Sequence, residues 1–163
     1  MIWLRALFFV VAVQLTVIGF IPWLMVGIGP RVSLSFWHLI GTLLLVMGGF
    51  ALLWCNWAFV VQGRGTAAPY DPPRALVAQG LYRHVRNPMY VSAILIVFGT
   101  GLWTGAVILF GYAVLLAVSY HLFVSYYEEP HLQQKFGGSY ADYCAAVPRW
   151  WPRVTPWRGV IDA

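Results

Sequence analysis

Charge is scarce in this chain. Of its 163 residues only 9% are charged, while 61% are hydrophobic, which is far from the composition of an average soluble domain. Lysine is nearly missing: of ten Lys+Arg residues only Lys135 is not an arginine, and the acids number five. So few charges cannot clothe a soluble surface, and the chain reads as a membrane protein. Cysteine is as sparse. Cys55 lies in an apolar run and Cys144 in a polar tail, with no CxxC pair or Cys/His ligand spacing, so both read as free thiols. His38, His84, His121 and His131 show no metal-ligand spacing either, and no metal is expected. Ser92, Ser119 and Ser125 stand in no G-x-S-x-G elbow, which leaves hydrolase chemistry unsupported.

What the chain has instead is long apolar runs. Ala6 to Ile28 is broken only by Gln14, Thr16, glycines and Pro22, long enough for the roughly 20 residues of a spanning helix. It is too long for the apolar core of a signal peptide, and no small-x-small site follows it. After Gly29-Pro30-Arg31, a second run from Phe36 to Val61 contains one amide, Asn56, and makes a hairpin with the first. Met89 to Tyr127 holds no Asp, Glu, Lys or Arg. As one straight helix it would run about 58 Å, nearly twice the hydrocarbon thickness, so it must fold back. The expected break is between Gly99 and Gly105, giving a short, tilted third helix of about 14 residues and a fourth of about 22. Between the second and third runs, residues 62–88 carry four prolines and four arginines. That stretch is expected to lie extended on the membrane surface, with a short interfacial helix from Leu76 to Arg86.

The arginines set the sidedness. Four spans put Arg5, Arg64, Arg74, Arg83, Arg86, Lys135, Arg149, Arg153 and Arg158 on one face and Arg31 alone on the other. Nine against one places the termini and central loop in the cytoplasm. The basic excess thus reports topology in the inner or plasma membrane, not nucleic-acid binding. The expected architecture is an all-α integral membrane domain over residues 1–163. It comprises an N-terminal helical hairpin (1–61), a cytoplasmic loop (62–88), the third and fourth helices (89–127) and a cytoplasmic C-terminal segment (128–163) with a polar helix that ends near Gly137-Gly138. In the tail, Trp150, Trp151 and Trp157 beside Arg149, Arg153 and Arg158 fit an interfacial belt.

Two stretches carry chemistry. Gly80 to Tyr90 (GLYRHVRNPMY) packs Arg83, His84 and Arg86 beside Asn87-Pro88 and two tyrosines; Glu128-Glu129 brings two of the five acids together on the same face. Each has a plain reading, as a lipid-anchored loop and as hydrated surface charge. An acidic pair in a basic interface gains from a bound cation, however, which makes it a candidate site. Gly99-x-Gly101 allows either close helix packing or room for a ligand. Gly63 to Ala68 spells G-x-G-x-x-A, but an apolar helix precedes it and proline follows, so a Rossmann site is excluded.

Leu76 to Tyr90, Gly99-Thr100-Gly101 and Glu128 to Pro152 together resemble, in order and spacing, the isoprenylcysteine carboxyl methyltransferase and phospholipid methyltransferase superfamily of integral membrane enzymes. The resemblance covers about the C-terminal half. It implies S-adenosylmethionine as cofactor and a lipid or small amphiphilic acceptor reached through the bilayer. The family's R-H-P-x-Y core stands here as Arg86-Asn87-Pro88-Met89-Tyr90, with Tyr82 at its upstream aromatic position. The resemblance assigns Leu81, Tyr82, Asn87, Pro88, Tyr90, Gly99, Gly101, Glu128 and Glu129 to the cofactor; the chemistry of that cofactor adds Arg83 as a partner for its carboxylate and makes Arg86 and Glu128 the catalytic candidates. Tyr140, Tyr143, Val147 and Pro148 match the motif that closes over the site.

The chemistry agrees with that assignment. A sulfonium, an ammonium, a carboxylate and ribose hydroxyls call for anions, a cation and aromatic faces, and these blocks hold all three. Two departures stand out. Asn87 replaces the usual histidine, and no arginine lies between His121 and Tyr127, where eukaryotic carboxyl methyltransferases carry one. The leading expectation is O-methylation of the isoprenylcysteine type. Its alternatives are a phospholipid or amine N-methyltransferase of the same fold, an NADPH-dependent membrane reductase and a non-catalytic scaffold.

Overall fold

The computed structural model describes residues 8, 10–32, 35–61 and 76–159. Arg5, Arg64, Arg74, the G-x-G-x-x-A segment and Pro69, Pro72 and Pro73 fall outside them. The described residues are helical and contain no strand. Helix α1 (residues 10–26) joins two π-helical segments, Val10–Gln14 and Thr16–Phe20, to a regular turn and a half, Ile21–Val26. Helix α2 is His38–Val61, α3 is Pro88–Thr104 and α4 is Ile108–Phe123. The last continues through a π turn, Val124–Glu128, directly into α5, Glu129–Ala146. Helix α2 and the run that begins with α4 are long and apolar enough to cross a membrane, and α1 and α3 are shorter apolar helices. Large apolar side chains such as Trp23, Leu39, Phe50 and Val114 lie exposed, as expected of helices that meet lipid rather than water.

Helices α2 and α3 pack most closely, and glycine sets how close. A Cβ at Gly41 would stand 2.9 Å from the Gly99 carbonyl oxygen, and one at Gly99 would stand 3.0 Å from the Gly41 carbonyl oxygen. Gly48 meets the Ser92 carbonyl in the same way, at 3.0 Å. Small residues replace the water-driven force that would join such helices in a soluble core. Ser92 is buried in this seam and returns its hydroxyl to the Pro88 carbonyl at 2.7 Å, leaving no open donor. Helix α1 is tied on by a reciprocal amide pair. Gln14 Nε2 donates to Asn56 Oδ1 at 3.2 Å, and Asn56 Nδ2 donates to Gln14 Oε1 at 2.9 Å. The two side-chain amides of the first two runs thus satisfy each other.

At the end of the bundle away from Pro88, two loops are stitched together. Val32 N–H donates to the Gly105 carbonyl at 2.9 Å, in an isolated antiparallel bridge between Arg31 and Ala106. Gly105 closes α3 in the left-handed region, at φ 70°, with Val32 against it. No other residue adopts that conformation as readily.

One sequence expectation changes and two are sharpened. The third helix breaks at the far end of the expected window, at Gly105: it runs through both glycines to Thr104, making 17 residues or about 25 Å, because glycine inside a tightly packed seam is held helical by its neighbours. Leu76 to Arg86 is not a helix. Residues 76–78 adopt no regular structure, Gln79 is extended, and a single 3₁₀ turn follows, Gly80–Arg83, since Gly80 takes φ 56° and the backbone of residues 83–86 bonds to the C-terminal tail. The polar C-terminal helix ends at Gly137, as expected, since φ 54° and ψ −125° there are not helical, and a second helical stretch carries α5 on to Ala146.

Candidate functional site

The tail is what shapes the polar end of the bundle. Arg86 N–H donates to the Pro148 carbonyl (2.9 Å), Arg153 N–H to the His84 carbonyl (2.9 Å) and Trp157 N–H to the Arg83 carbonyl (3.0 Å). His84 Nδ1 donates to the Arg153 carbonyl at 2.8 Å. Beneath them the buried Tyr143 hydroxyl donates to the Tyr82 carbonyl at 2.7 Å, and Ala78, Tyr140, Tyr143 and Val147 form a small core of their own. The 3₁₀ turn is held from the other side. A Cβ on Gly80 would meet Trp54 Nε1 at 2.7 Å, so φ 56° and the indole both require glycine there.

These contacts leave a small cleft at the start of α3, lined by Phe59, Tyr82, Arg86, Asn87, Met89, Tyr90 and Glu128. Pro88 opens α3 as its first residue, where a missing N–H costs nothing. That places Tyr90 half a turn on. Its hydroxyl donates to Glu128 Oε2 at 2.8 Å, and its ring lies 4.6 Å from that of Tyr120. Glu128 ends the π turn, just beyond the apolar stretch of α4. Burial pushes its carboxyl above the ordinary value, the Tyr90 hydroxyl works against that push, and the charge of Glu129 adds to it. Tyr90→Phe is therefore expected to raise the proton affinity of Glu128 further. The acid limb of any pH–rate profile that needs the Glu128 carboxylate would then move to higher pH; an unmoved limb would separate the two residues.

Glu129 faces the other way, into two guanidinium groups. Arg86 Nη1 lies 3.1 Å from Glu129 Oε1. Arg149 grips the carboxylate with both arms of its fork, Nε to Oε1 at 2.9 Å and Nη2 to Oε2 at 2.6 Å. Its Nη1 donates to the Ser125 hydroxyl at 2.9 Å. Asn87 is buried, and its Nδ2 donates to the Arg149 carbonyl at 3.2 Å.

Five of the expected site residues, Tyr82, Arg86, Asn87, Tyr90 and Glu128, therefore line one cleft, and Glu129 touches it through Arg86. Leu81 packs on the main core and Pro88 is buried beneath the turn. Arg83 lies beside them, and among the described residues its buried Nε has no hydrogen-bond partner, nor has that of Arg86. Gly99 and Gly101 are elsewhere. They sit some 13 Å or more along α3 from Tyr90, against Gly41 and against Phe110 respectively. Phe59, Met89 and Arg149 were not singled out from sequence as site residues. For Arg149 the available signal was chemical: a carboxylate pair beside a membrane needs counter-charge, and Arg149 directly follows the closing motif.

The donor set suits the group that the sequence resemblance implies. The Arg86 guanidinium lines the cleft with a buried Nε that could meet an anion, tyrosine rings flank it, and a carboxylate of raised proton affinity stands inside it. Apolar helices with ionic side chains gathered where they end define the class, a membrane-type helical domain with a polar cleft at one end. Within that class the chain belongs to the phospholipid methyltransferase family, whose sequence model matches residues 36–139. It is similar to the phosphatidylethanolamine N-methyltransferases of Sordaria macrospora and Neurospora crassa, each 35% identical over 106 residues, covering 57% of this chain and 10% of the relative. The chain thus spans about a tenth of the length of these curated relatives. No solved structure matches it. The matched region takes in α2, α3, α4 and the acidic pair; α1 and Arg149 lie outside it.

Proposed function

We propose that the chain is an integral membrane methyltransferase that moves the methyl group of S-adenosylmethionine to the nitrogen of a phospholipid or related amphiphilic amine. The observation that carries this reading is the pairing of Glu128 with Tyr90 in a cleft that Arg86 shares. Nitrogen is favoured over the carboxyl oxygen of the leading sequence expectation by the family and by the printed activity of the relatives. The missing arginine between His121 and Tyr127 points the same way.

Arg86, with its partnerless Nε, would take the cofactor carboxylate, and Tyr82 and Tyr90 would face the sulfonium. Asn87 would add an amide at the same rim, and Arg83 a second guanidinium. Leu81 and Pro88 shape the turn that presents them. Glu129 holds Arg86, while Gly99 and Gly101 serve the helix packing further along α3. When bound there, the cofactor supplies an electrophilic methyl group on a sulfonium. A protonated amine is no nucleophile, so a base must first take its proton, and Glu128 is suited to that role by its raised proton affinity. Tyr90 keeps the carboxylate oriented, and the tail bound over residues 83–86 limits water at the cleft. Four spans, with residues 76–88 and the segment after Glu128 at the cytoplasmic face, give that cleft access to a soluble cofactor and a bilayer acceptor. The arginine distribution supports this orientation.

Calorimetry of the purified, folded protein with S-adenosylhomocysteine is the test. Binding is expected; none in a folded sample would leave a reductase or a scaffold. Methyl-labelled cofactor incubated with membrane lipid should then yield a base-stable product, as an N-methyl group is. A base-labile product would restore the carboxyl ester reading.

A further inference from the structure

The segment after Val147 reads from sequence as a membrane-interface belt, yet one of its arginines does not behave as an anchor. We infer that Arg149 is a positioning residue of the methyl-transfer site, fixing Arg86 through Glu129, Asn87 through its own carbonyl, and the turn that carries Glu128 through Ser125. The inference rests on the methyltransferase reading above and assigns a role to a residue outside the family-matched region.

A lipid-anchoring arginine presents its guanidinium to phosphate. Arg149 instead commits three nitrogens inward: Nε and Nη2 to the two oxygens of Glu129, and Nη1 to Ser125. Its side chain is 30% exposed, against 82% exposure for its neighbour Trp151. With its fork filled, it holds other groups and does not itself reach for a ligand. Arg86 is the opposite case. It spends Nη1 on Glu129 while its buried Nε has no partner. One carboxylate thus bridges two guanidiniums that would otherwise repel, leaving a net positive charge of which Arg86 is the open end. Remove Arg149, and Glu129 is free to follow Arg86 or to turn toward water. Asn87 is tied to the same residue through the Arg149 carbonyl, so a shift of the tail moves adjacent members of the cleft together. Lysine offers a single point of charge and cannot span both carboxylate oxygens and Ser125 at once.

The test compares S-adenosylhomocysteine affinity by calorimetry for the full chain and for Arg149→Ala, Arg149→Lys, Glu129→Gln and the Arg149→Ala/Glu129→Gln double variant. Arg149→Ala is expected to weaken binding at least tenfold, and Arg149→Lys to recover part of the loss. The double variant should bind no worse than the weaker single one, because Arg149 acts through Glu129. Wild-type affinity in Arg149→Ala, or additive losses in the double variant, would overturn the inference and leave the methyltransferase reading standing. Wild-type protein that binds no S-adenosylhomocysteine would overturn both. Should Arg149→Ala lose its native elution and helical signal, Arg149→Lys carries the same comparison: a severalfold loss supports the role, and wild-type affinity removes it.

Discussion

Glu128→Gln is expected to lower methyl-transfer turnover by about a hundredfold to ten-thousandfold, the range typical of losing a positioned general base, with a far smaller change in S-adenosylhomocysteine affinity. Glutamine keeps the shape of the side chain and an oxygen to accept the Tyr90 hydroxyl, but it cannot take a proton from an ammonium group. The measurement is initial rate of label transfer at saturating cofactor and acceptor. The pH dependence supplies a second reading of the same group. Burial and Glu129 raise the proton affinity of Glu128, so wild-type activity should climb with pH through a limb lying above the ordinary carboxylate range. That limb should be missing in Glu128→Gln. A variant with wild-type turnover would leave the cleft without a base and would return attention to acceptors that need none.

A large effect on stability is expected at Gly99. Its Cβ would stand 3.0 Å from the Gly41 carbonyl oxygen, 3.1 Å from Leu44 Cβ and 3.2 Å from the Leu45 nitrogen. Two of those three are backbone atoms, which no rotamer change can move. Gly99→Val should destabilise by about 3 kcal/mol, toward the upper end for overpacked interiors, read as a fall in the thermal midpoint in detergent. Gly101→Ala should be milder, because its added carbon meets the Phe110 ring at 3.2 Å and Leu109 Cβ at 3.3 Å, both side-chain atoms. Wild-type stability of Gly99→Val together with lost S-adenosylhomocysteine binding would assign the glycines to the cofactor instead.

The two glycines show where sequence reading divides from structure. Packing and ligand space ask for the same small residue, and only the position of Gly41 opposite Gly99 separates them. The apolar runs were plain, because lipid demands long stretches without charge. The junction near Gly105 was plain to within a few residues, because a doubled-back run needs a turn. Arg86, Asn87, Tyr90 and the acidic pair were legible as a pattern, since two short polar motifs in an otherwise apolar chain resemble, in order and spacing, those of one family. The Arg149–Glu129 contact was not. It joins residues 20 apart across a fold-back of the tail, and no periodicity encodes that. Nor was the continuity of α4 with α5, for Pro130 reads as the start of a new helix although the backbone arrives at it already wound.

That continuity passes through Val124–Glu128, where the helix widens to a π turn immediately ahead of Pro130. A π turn accommodates an extra residue in the winding. Each residue of a regular helix advances by about 100°, so this one wide turn sets the angular phase of everything after it. Leu116 ahead of the turn and Val124 at its start point into the core; Glu128 at its end reaches Tyr90, and Glu129 just beyond it reaches the two arginines. Deleting a single residue from the turn would keep every side chain of the acidic pair and still rotate both away from their partners. The chemistry of the cleft is thus indexed by a count of residues as much as by their identity.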